Sequence, residues 1–474
     1  MTAASKSLLI GVLLLVAVTA TRDATGEDWP RFRGANGTGV STSRGLPTEF
    51  GPEKNVAWKI EAGKGSSSPI ISHGRLFFTS FDGDERTLHC LDAATGKLQW
   101  GRSVKKIRVE IASRPNGPAT PTPASDGENV FVLYPDVGVL CYSALGQEKW
   151  RITLEPFHSM HGVASSLVTV DNLVIVVVDQ LDGSYIAAFK SDSGALAWKT
   201  ERVNGITGGF STPAVYRPSS GPAQLVVSGP FEVVGYEVAT GKRVWWINGI
   251  TNAPISVPVI WHNRAFVCEP VGEPVPFAML APYDKDKDGK ISMAEIKSDV
   301  TMSRLLERID KGFGNHTGFV GAAEWDKAFG KFVNKGGLVA IELGGTGDAT
   351  QTNIRWSYRK AVPYIPSALV YDDLVYVVKD GGILSAFEAA SGKLVKQARL
   401  KSGGRRYDAS PIAADGLIYL LNADGGMNVV KAGRDWKLLT MNELGEPCSA
   451  TPAISDGRLY VRTAKSLFCF RKSS

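Results

Sequence analysis

The chain has 474 residues, 43% of them hydrophobic and 21% charged, with a formal net charge of +6. This balance is that of a soluble globular protein, long enough for several ordinary domains or one large repeat architecture. The lysines and arginines are scattered and form no run resembling a nucleic-acid arm, so a nucleic-acid partner is not indicated.

Residues 1–20 read as a secretory signal peptide. Lys6 supplies the basic start, Leu8 to Val18 the apolar region, and Val18-Thr-Ala20 the small residues of a cleavage site. The apolar run is short for a membrane span, although an uncleaved anchor is the alternative. No cysteine follows it, which leaves a lipoprotein anchor unsupported. The expectation is an exported protein, periplasmic or extracellular, with no transmembrane span in the mature chain. Residues 21–54 form a lead-in, opening on Asp28-Trp-Pro-Arg-Phe-Arg-Gly-Ala-Asn-Gly-Thr-Gly39.

From residue 55 to 474 one pattern recurs. A small-polar-Pro strand is followed by a turn, two hydrophobic strands, Thr/Ser-Gly-Lys and a tryptophan. The first copy runs through Ser67-Ser-Pro-Ile-Ile, Gly74-Arg-Leu-Phe-Phe and Thr87-Leu-His-Cys-Leu-Asp to Thr95-Gly-Lys-Leu-Gln-Trp100. Trp100, Trp150, Trp198 and Trp246 lie 50, 48 and 48 residues apart. A period this long, with four short strands and glycine turns, predicts propeller blades. Eight copies are counted. The sixth has Ser391-Gly-Lys without a tryptophan, the seventh is read as closing at Trp436, and the eighth stops after three strands. Asn55-Val-Ala-Trp-Lys-Ile60 supplies the missing strand and joins the chain's two ends. The fold expected is all-β: an eight-bladed propeller of four-stranded antiparallel blades. Its tryptophans are assigned to packing between blades.

The fifth copy is interrupted by an insert at about 271–336. It contains Asp284-Lys-Asp-Lys-Asp-Gly-Lys-Ile-Ser-Met-Ala-Glu295. Carboxylates stand at positions 1, 3, 5 and 12 of a twelve-residue loop, glycine at 6 and isoleucine at 8, and the loop closely resembles an EF-hand. The expected Ca²⁺ ligands are Asp284, Asp286, Asp288, the Lys290 carbonyl, Ser292 directly or through water, and Glu295. Lys285, Lys287 and Lys290 weaken the negative field and predict moderate affinity. Pro282 predicts a short or kinked entering helix. A degenerate second loop follows, with Asn315, Thr317 and Glu324 at positions 3, 5 and 12. Its position 1 is Phe313, which cannot ligate, and Asp310 serves only if the loop is longer. It reads as a structural partner with weak or no metal binding.

Five cysteines (Cys90, Cys141, Cys268, Cys448, Cys469) form no Cys-x-x-Cys and read as buried strand residues, ahead of disulfide or metal roles. Strands two and three of a blade are joined on the face that carries the inter-blade loops. The insert therefore shares a face with Arg102, Lys105, Lys106, Arg108 and Arg114, with Arg399, Lys401, Arg405 and Arg406, and with His158 and His161. These cations form either a basic rim for an anionic glycan or protein segment, or ordinary solvated loops. The two histidines are joined by no carboxylate or cysteine cluster, which favours surface or packing roles.

Leu91-Asp-Ala-Ala-Thr-Gly-Lys-Leu-Gln-Trp100 resembles the tryptophan-docking motif of the PQQ-like eight-bladed propeller family, with weaker copies in most blades. The lead-in is similar to one found in secreted members. The resemblance covers about residues 55–474 outside the insert and speaks to fold more than to function. The first function expected is a non-catalytic exported scaffold binding Ca²⁺ and a macromolecular partner. A PQQ-dependent dehydrogenase is the alternative. Many alcohol dehydrogenases of that kind carry an adjacent cysteine pair, which is absent here, and their cofactor-stacking tryptophan and catalytic aspartate cannot be placed. A BamB-like outer-membrane assembly factor is a third reading.

Overall fold

The computed structural model describes residues 27–472 except 111, 114–115, 160, 182, 203–207, 251–252, 272–275, 330–335 and 401–405. Residues 1–20, read above as a signal peptide, lie outside these residues. Among them, no helix is long and apolar enough to cross a membrane.

Eight antiparallel sheets make the body of the chain. Their innermost strands are Ile70–Ser72, Ala124–Ser125, Val168–Val170, Ala214–Tyr216, Val259–Trp261, Leu369–Tyr371, Ile412–Ala414 and Ala453–Ser455, taken as blades one to eight. Val56–Glu61 pairs antiparallel with Ser466–Arg471 and is the outer strand of blade eight. The burial pattern explains why the sequence reads as it does. Leu173–Val178, a second strand, is an unbroken apolar run because both of its faces meet neighbouring blades. Leu196–Glu201, an outer strand, alternates between exposed and half-buried residues.

The tryptophans lock adjacent blades together. Trp58, Trp100, Trp150, Trp198 and Trp356 donate their indole N–H to Ala93, Ala144, Ser191, Val238 and Ala389 of the next blade, at 2.9–3.2 Å. Each ring lies on the glycine of the next blade's turn. Gly96 has φ 71°, and a Cβ there would stand 2.6 Å from the Trp58 ring, so both conformation and space require glycine.

A second belt surrounds the axis. Each backbone N–H donates to a hydroxyl of the following blade: Ser68 to Thr122, Thr122 to Ser166, Ser166 to Thr212, Val257 to Ser367, Ser367 to Ser410, Ser410 to Thr451, and Thr451 back to Ser68, all at 2.9–3.0 Å. The small-polar-Pro signature is thus the sequence trace of this ring.

Three seams depart from the rule, that between blades seven and eight because the outer strand Lys437–Glu443 carries no tryptophan. Between blades four and five the ring position is Val257, which has no hydroxyl to offer, and Ser211 Oγ donates to the Ser256 carbonyl instead, at 2.6 Å. At the same seam Gly347–Asp348 adds to blade four as a parallel fifth strand beside Trp245 and Trp246. Between blades six and seven the direction is reversed. Trp436 precedes the outer strand Lys437–Glu443 rather than lying within it, so it does not close blade seven as the sequence pattern implied. It packs back toward blade six, where Lys396 donates to its carbonyl at 2.9 Å and lies 4.8 Å from its ring centre.

The lead-in crosses the axis on the face of the first turns. Trp29 bridges Ile71 of blade one, Pro30 accepts from Ser125 of blade two, and Asn36 exchanges hydrogen bonds with Val215 of blade four. Arg33 reaches the Ala368 carbonyl of blade six, Ser41 N–H donates to Ala413 of blade seven, and Glu27 accepts from Ser455 of blade eight.

Candidate metal site in the blade-five insert

The insert leaves blade five between its second strand, Arg264–Glu269, and its third, Gly337–Glu342. A 3-10 helix, Phe277–Tyr283, leads into the acidic loop, with Pro282 inside it. Proline has no N–H to continue an α-helical ladder, which accounts for the tighter, shorter element. The segment after the loop is turns, and then helix α1 runs over Val300–Phe313 and helix α2 over Ala322–Phe329. Asp299 caps α1 by accepting from Met302 N–H at 3.0 Å, and Tyr283 OH donates to the same carboxyl at 2.8 Å.

Lys290–Ser292 and Phe319–Gly321 form a two-stranded antiparallel ladder in which Ile291 faces Val320. These are the eighth positions of the two loops. Both are buried, in a core with Leu280, Ile296, Leu306, Ile309, Trp325 and Phe329. The propeller contributes one residue to that core. Phe231, on the turn between the second and third strands of blade four, is 2% exposed and lies 5.8 Å from the Phe329 ring. It holds φ 66°, a left-handed conformation that is costly for a bulky side chain. Arg308 of α1 donates to the Leu181 carbonyl of blade three at 3.0 Å. The insert therefore rests on the second-to-third-strand turns of blades three and four.

Within the first loop, Asp284, Asp286 and Glu295 each bring a carboxylate oxygen within 4.8 Å of the others. The loop's own amides set this shape. Asp284 Oδ2 accepts from Gly289 N–H at 3.1 Å, across a glycine at φ 78°, while Asp284 Oδ1 is buried and has no protein partner. Glu295 accepts from Lys285 N–H at 2.8 Å through Oε1, and from Ser292 N–H at 2.8 Å and Ser292 Oγ at 2.7 Å through Oε2. These bonds, led by that from the Ser292 amide, hold the Glu295 carboxyl down at about 2, so it is charged at any physiological pH. Asp288 lies outside the cluster and accepts from Lys290 N–H at 2.8 Å. Ser292 addresses Glu295 through its hydroxyl. Three carboxylates gathered around one point, one with a free oxygen, are donors of the hard-oxygen kind that Ca²⁺ takes.

The second loop repeats this wiring with a different first residue. Phe313 ends α1 and packs on the insert's core. Asp310, three residues earlier, takes the leading place: its oxygens accept from Thr317 N–H at 3.0 Å and Gly318 N–H at 2.9 Å. Glu324 accepts from Gly321 N–H at 3.0 Å, as Glu295 does from Ser292. The loop is longer than twelve residues, and a fixed count from Glu324 back to Phe313 misses its acid. Asp310 and Glu324 are not gathered with a third acidic, histidine or cysteine side chain among the described residues.

Three cations of the expected basic rim are paired with carboxylates. Lys106 pairs with Asp84 at 2.7 Å, Arg108 with Glu110 at 2.5 Å and Arg406 with Asp408 at 2.8 Å. Arg102 donates to the Gly146 carbonyl and Arg399 to the Gly381 carbonyl. Arg114, Lys401 and Arg405 lie outside the described residues. His161 Nδ1 is 2.9 Å from Ser113 Oγ, and no His158/His161 metal cluster forms among the described residues. All five cysteines are free and buried.

A family model described as outer membrane protein assembly factor BamB matches residues 48–177 and, in an overlapping placement, 84–259. BamB from Moraxella catarrhalis is 12% identical, with a TM-score of 0.53 over 88% of this chain and 97% of its own. A europium-containing methanol dehydrogenase is 11% identical, with a TM-score of 0.56 over 94% of this chain and 98% of its own. Quinohemoprotein alcohol dehydrogenase from Comamonas testosteroni is 12% identical, with a TM-score of 0.54 over 94% and 81%. No curated protein matches the chain. At these identities the likeness establishes the fold: an eight-bladed β-propeller of PQQ-like repeats.

Proposed function

We propose that this protein is an exported, calcium-binding propeller scaffold whose insert-bearing face docks a protein partner. The observation that carries the reading is the convergence of Asp284, Asp286 and Glu295 in a loop tied through Ile291 to a core anchored on Phe231 of the propeller. Asp284, Asp286 and Glu295 would hold the cation, with the Lys290 carbonyl, Ser292 and Asp288 completing the oxygen shell. The cation would neutralise the gathered carboxylates and stiffen the insert against blades three and four. Three lysines in the loop place the affinity in the range of extracellular modules, about 10⁻⁴–10⁻³ M. The matched family's description as an assembly factor supports a protein partner over a glycan, and the paired rim cations leave an anionic glycan without support.

The residues do not fit the quinone alternative. The cysteines are dispersed over different blades and the connecting loop Cys448, with none adjacent to another. Trp58, Trp100, Trp150, Trp198 and Trp356 are committed to seams, and Trp245 donates to Gln224 inside blade four. The deciding experiment is calorimetric titration of the full chain with Ca²⁺, and separately with PQQ. Ca²⁺ binding that is lost in Glu295→Gln supports the scaffold. No heat and no shift in unfolding temperature at millimolar Ca²⁺ would reject it.

A further inference from the structure

Buried charges in proteins are normally paired, because an isolated ion loses its hydration without return. Arg33 of the lead-in breaks this rule. It is 0% exposed and lies at the axis, where its Nη2 reaches the carbonyls of Ala368 at 2.8 Å and Pro411 at 3.4 Å. Those residues directly follow Ser367 and Ser410 of the hydroxyl ring. Nη2 also reaches the Thr38 carbonyl at 3.3 Å, while Nε and Nη1 are buried with no protein acceptor, and the guanidinium forms no ion pair among the described residues. Burial alone drives its pKa down to about 9, with no carboxylate acting on it. Arg31 is also buried, 4% exposed, and donates to the Pro213 carbonyl and the Asn36 side chain, with its pKa lowered by burial to about 10. Arg33 also holds φ 61°, a left-handed conformation that strains a non-glycine residue.

The axis around it is rich in donors. Ser68, Thr122, Ser166, Thr212, Ser367, Ser410 and Thr451 each accept an amide proton from the preceding blade. A hydroxyl that accepts still has its own proton to give, and none of these donates to a protein acceptor among the described residues. The two unanswered N–H groups of Arg33 thus lie on a guanidinium held against the segments that carry Ser367 and Ser410, with no carboxylate acting on it.

We propose that the propeller axis beside Arg33 is a binding site for a small inorganic monoanion of halide size, held by the Arg33 guanidinium and the hydroxyl ring. The ion supplies the missing counter-charge and pins the lead-in across the blades it touches. This site lies on the face opposite the insert and is independent of the Ca²⁺ reading.

The test uses the full chain with Ca²⁺ held constant. Crystals grown in sodium bromide should show an anomalous peak at Arg33 Nε and Nη1. The unfolding temperature of the wild type should rise by about 2 °C on replacing sodium gluconate by sodium chloride at equal ionic strength. Arg33→Met, which keeps the apolar stem, should lose that chloride response. If this variant does not fold, the bromide peak decides alone. No bromide density beside Arg33, or a chloride response unchanged in Arg33→Met, overturns the proposal and makes the axial site a water site.

Discussion

The two loops of the insert share one β-ladder and one core, yet they treat their leading acids in opposite ways. In the first, Asp284 gives one oxygen to an amide and keeps the other free, and Asp286 and Glu295 gather beside it. In the second, Asp310 is 6% exposed and spends both oxygens on the amides of Thr317 and Gly318. The protein's own N–H groups there do what a cation would do in the first under the proposed function. One loop is closed by hydrogen bonds, and the other keeps a carboxylate oxygen free.

The largest test of this division is at the shared anchor. Phe231→Ala should cost about 3–5 kcal/mol and release the insert, seen as faster hydrogen exchange across α1 and α2 while the blades stay protected. Equal loss of protection in both would show that the insert is not a separate unit. Next is Glu269, the last residue before the insert, fully buried, with Ser228, Ser256 and Ile255 N–H donating to it. Burial raises its carboxyl from 4.5 to about 8. The neutral form is therefore favoured on folding: its contribution is whole below pH 4.5, declines as pH rises to about 8, and is flat above that. Glu269→Gln should flatten denaturant stability over that window by a few kcal/mol (order of magnitude), and an unchanged slope would refute the assignment. Asp310→Ala should cost about 1–3 kcal/mol with or without Ca²⁺, because two amides lose their acceptor. A variant equally stable to wild type without Ca²⁺ would mean the second loop also waits for metal. The smallest effect on the metal-free protein is expected for Glu295→Gln, which keeps one acceptor oxygen for the loop amides. The same change should abolish stabilisation by Ca²⁺, and retained stabilisation would move the site elsewhere.

Much of this was legible in the chain because repetition multiplies a weak signal. The Trp58, Trp100, Trp150, Trp198 and Trp356 docks are the same contact made five times, so the motif recurring around them marked their role, while Trp246 keeps the spacing but meets a different neighbour. Where a contact is made once, the sequence is silent. Trp436 carries the right residue type but enters its seam from the opposite blade. Trp246 lies beside a parallel strand that no repeat announces. The first acidic loop was readable as a fixed register of acids, of which the structure gathers Asp284, Asp286 and Glu295, whereas in the second helix α1 carries Asp310 to the leading place three residues ahead of Phe313. The basic rim failed for a related reason: charges counted along a loop do not reveal that Lys106 returns to Asp84 or that Arg406 turns to Asp408. Phe231, an apolar residue in a tight turn, gives no sign in sequence that it belongs to another unit's core.

Joining Val56–Glu61 to Ser466–Arg471 also sets a timetable. Ile60 meets Leu467 across more than 400 residues of chain. A ribosome adding about 5–20 residues per second needs about 20–80 s to supply the partner. Throughout that interval the earliest strand is a bare hydrogen-bonding edge, open to any other extended segment. Birth of the molecule thus ends with its final residues, and its most dangerous surface is the one made first.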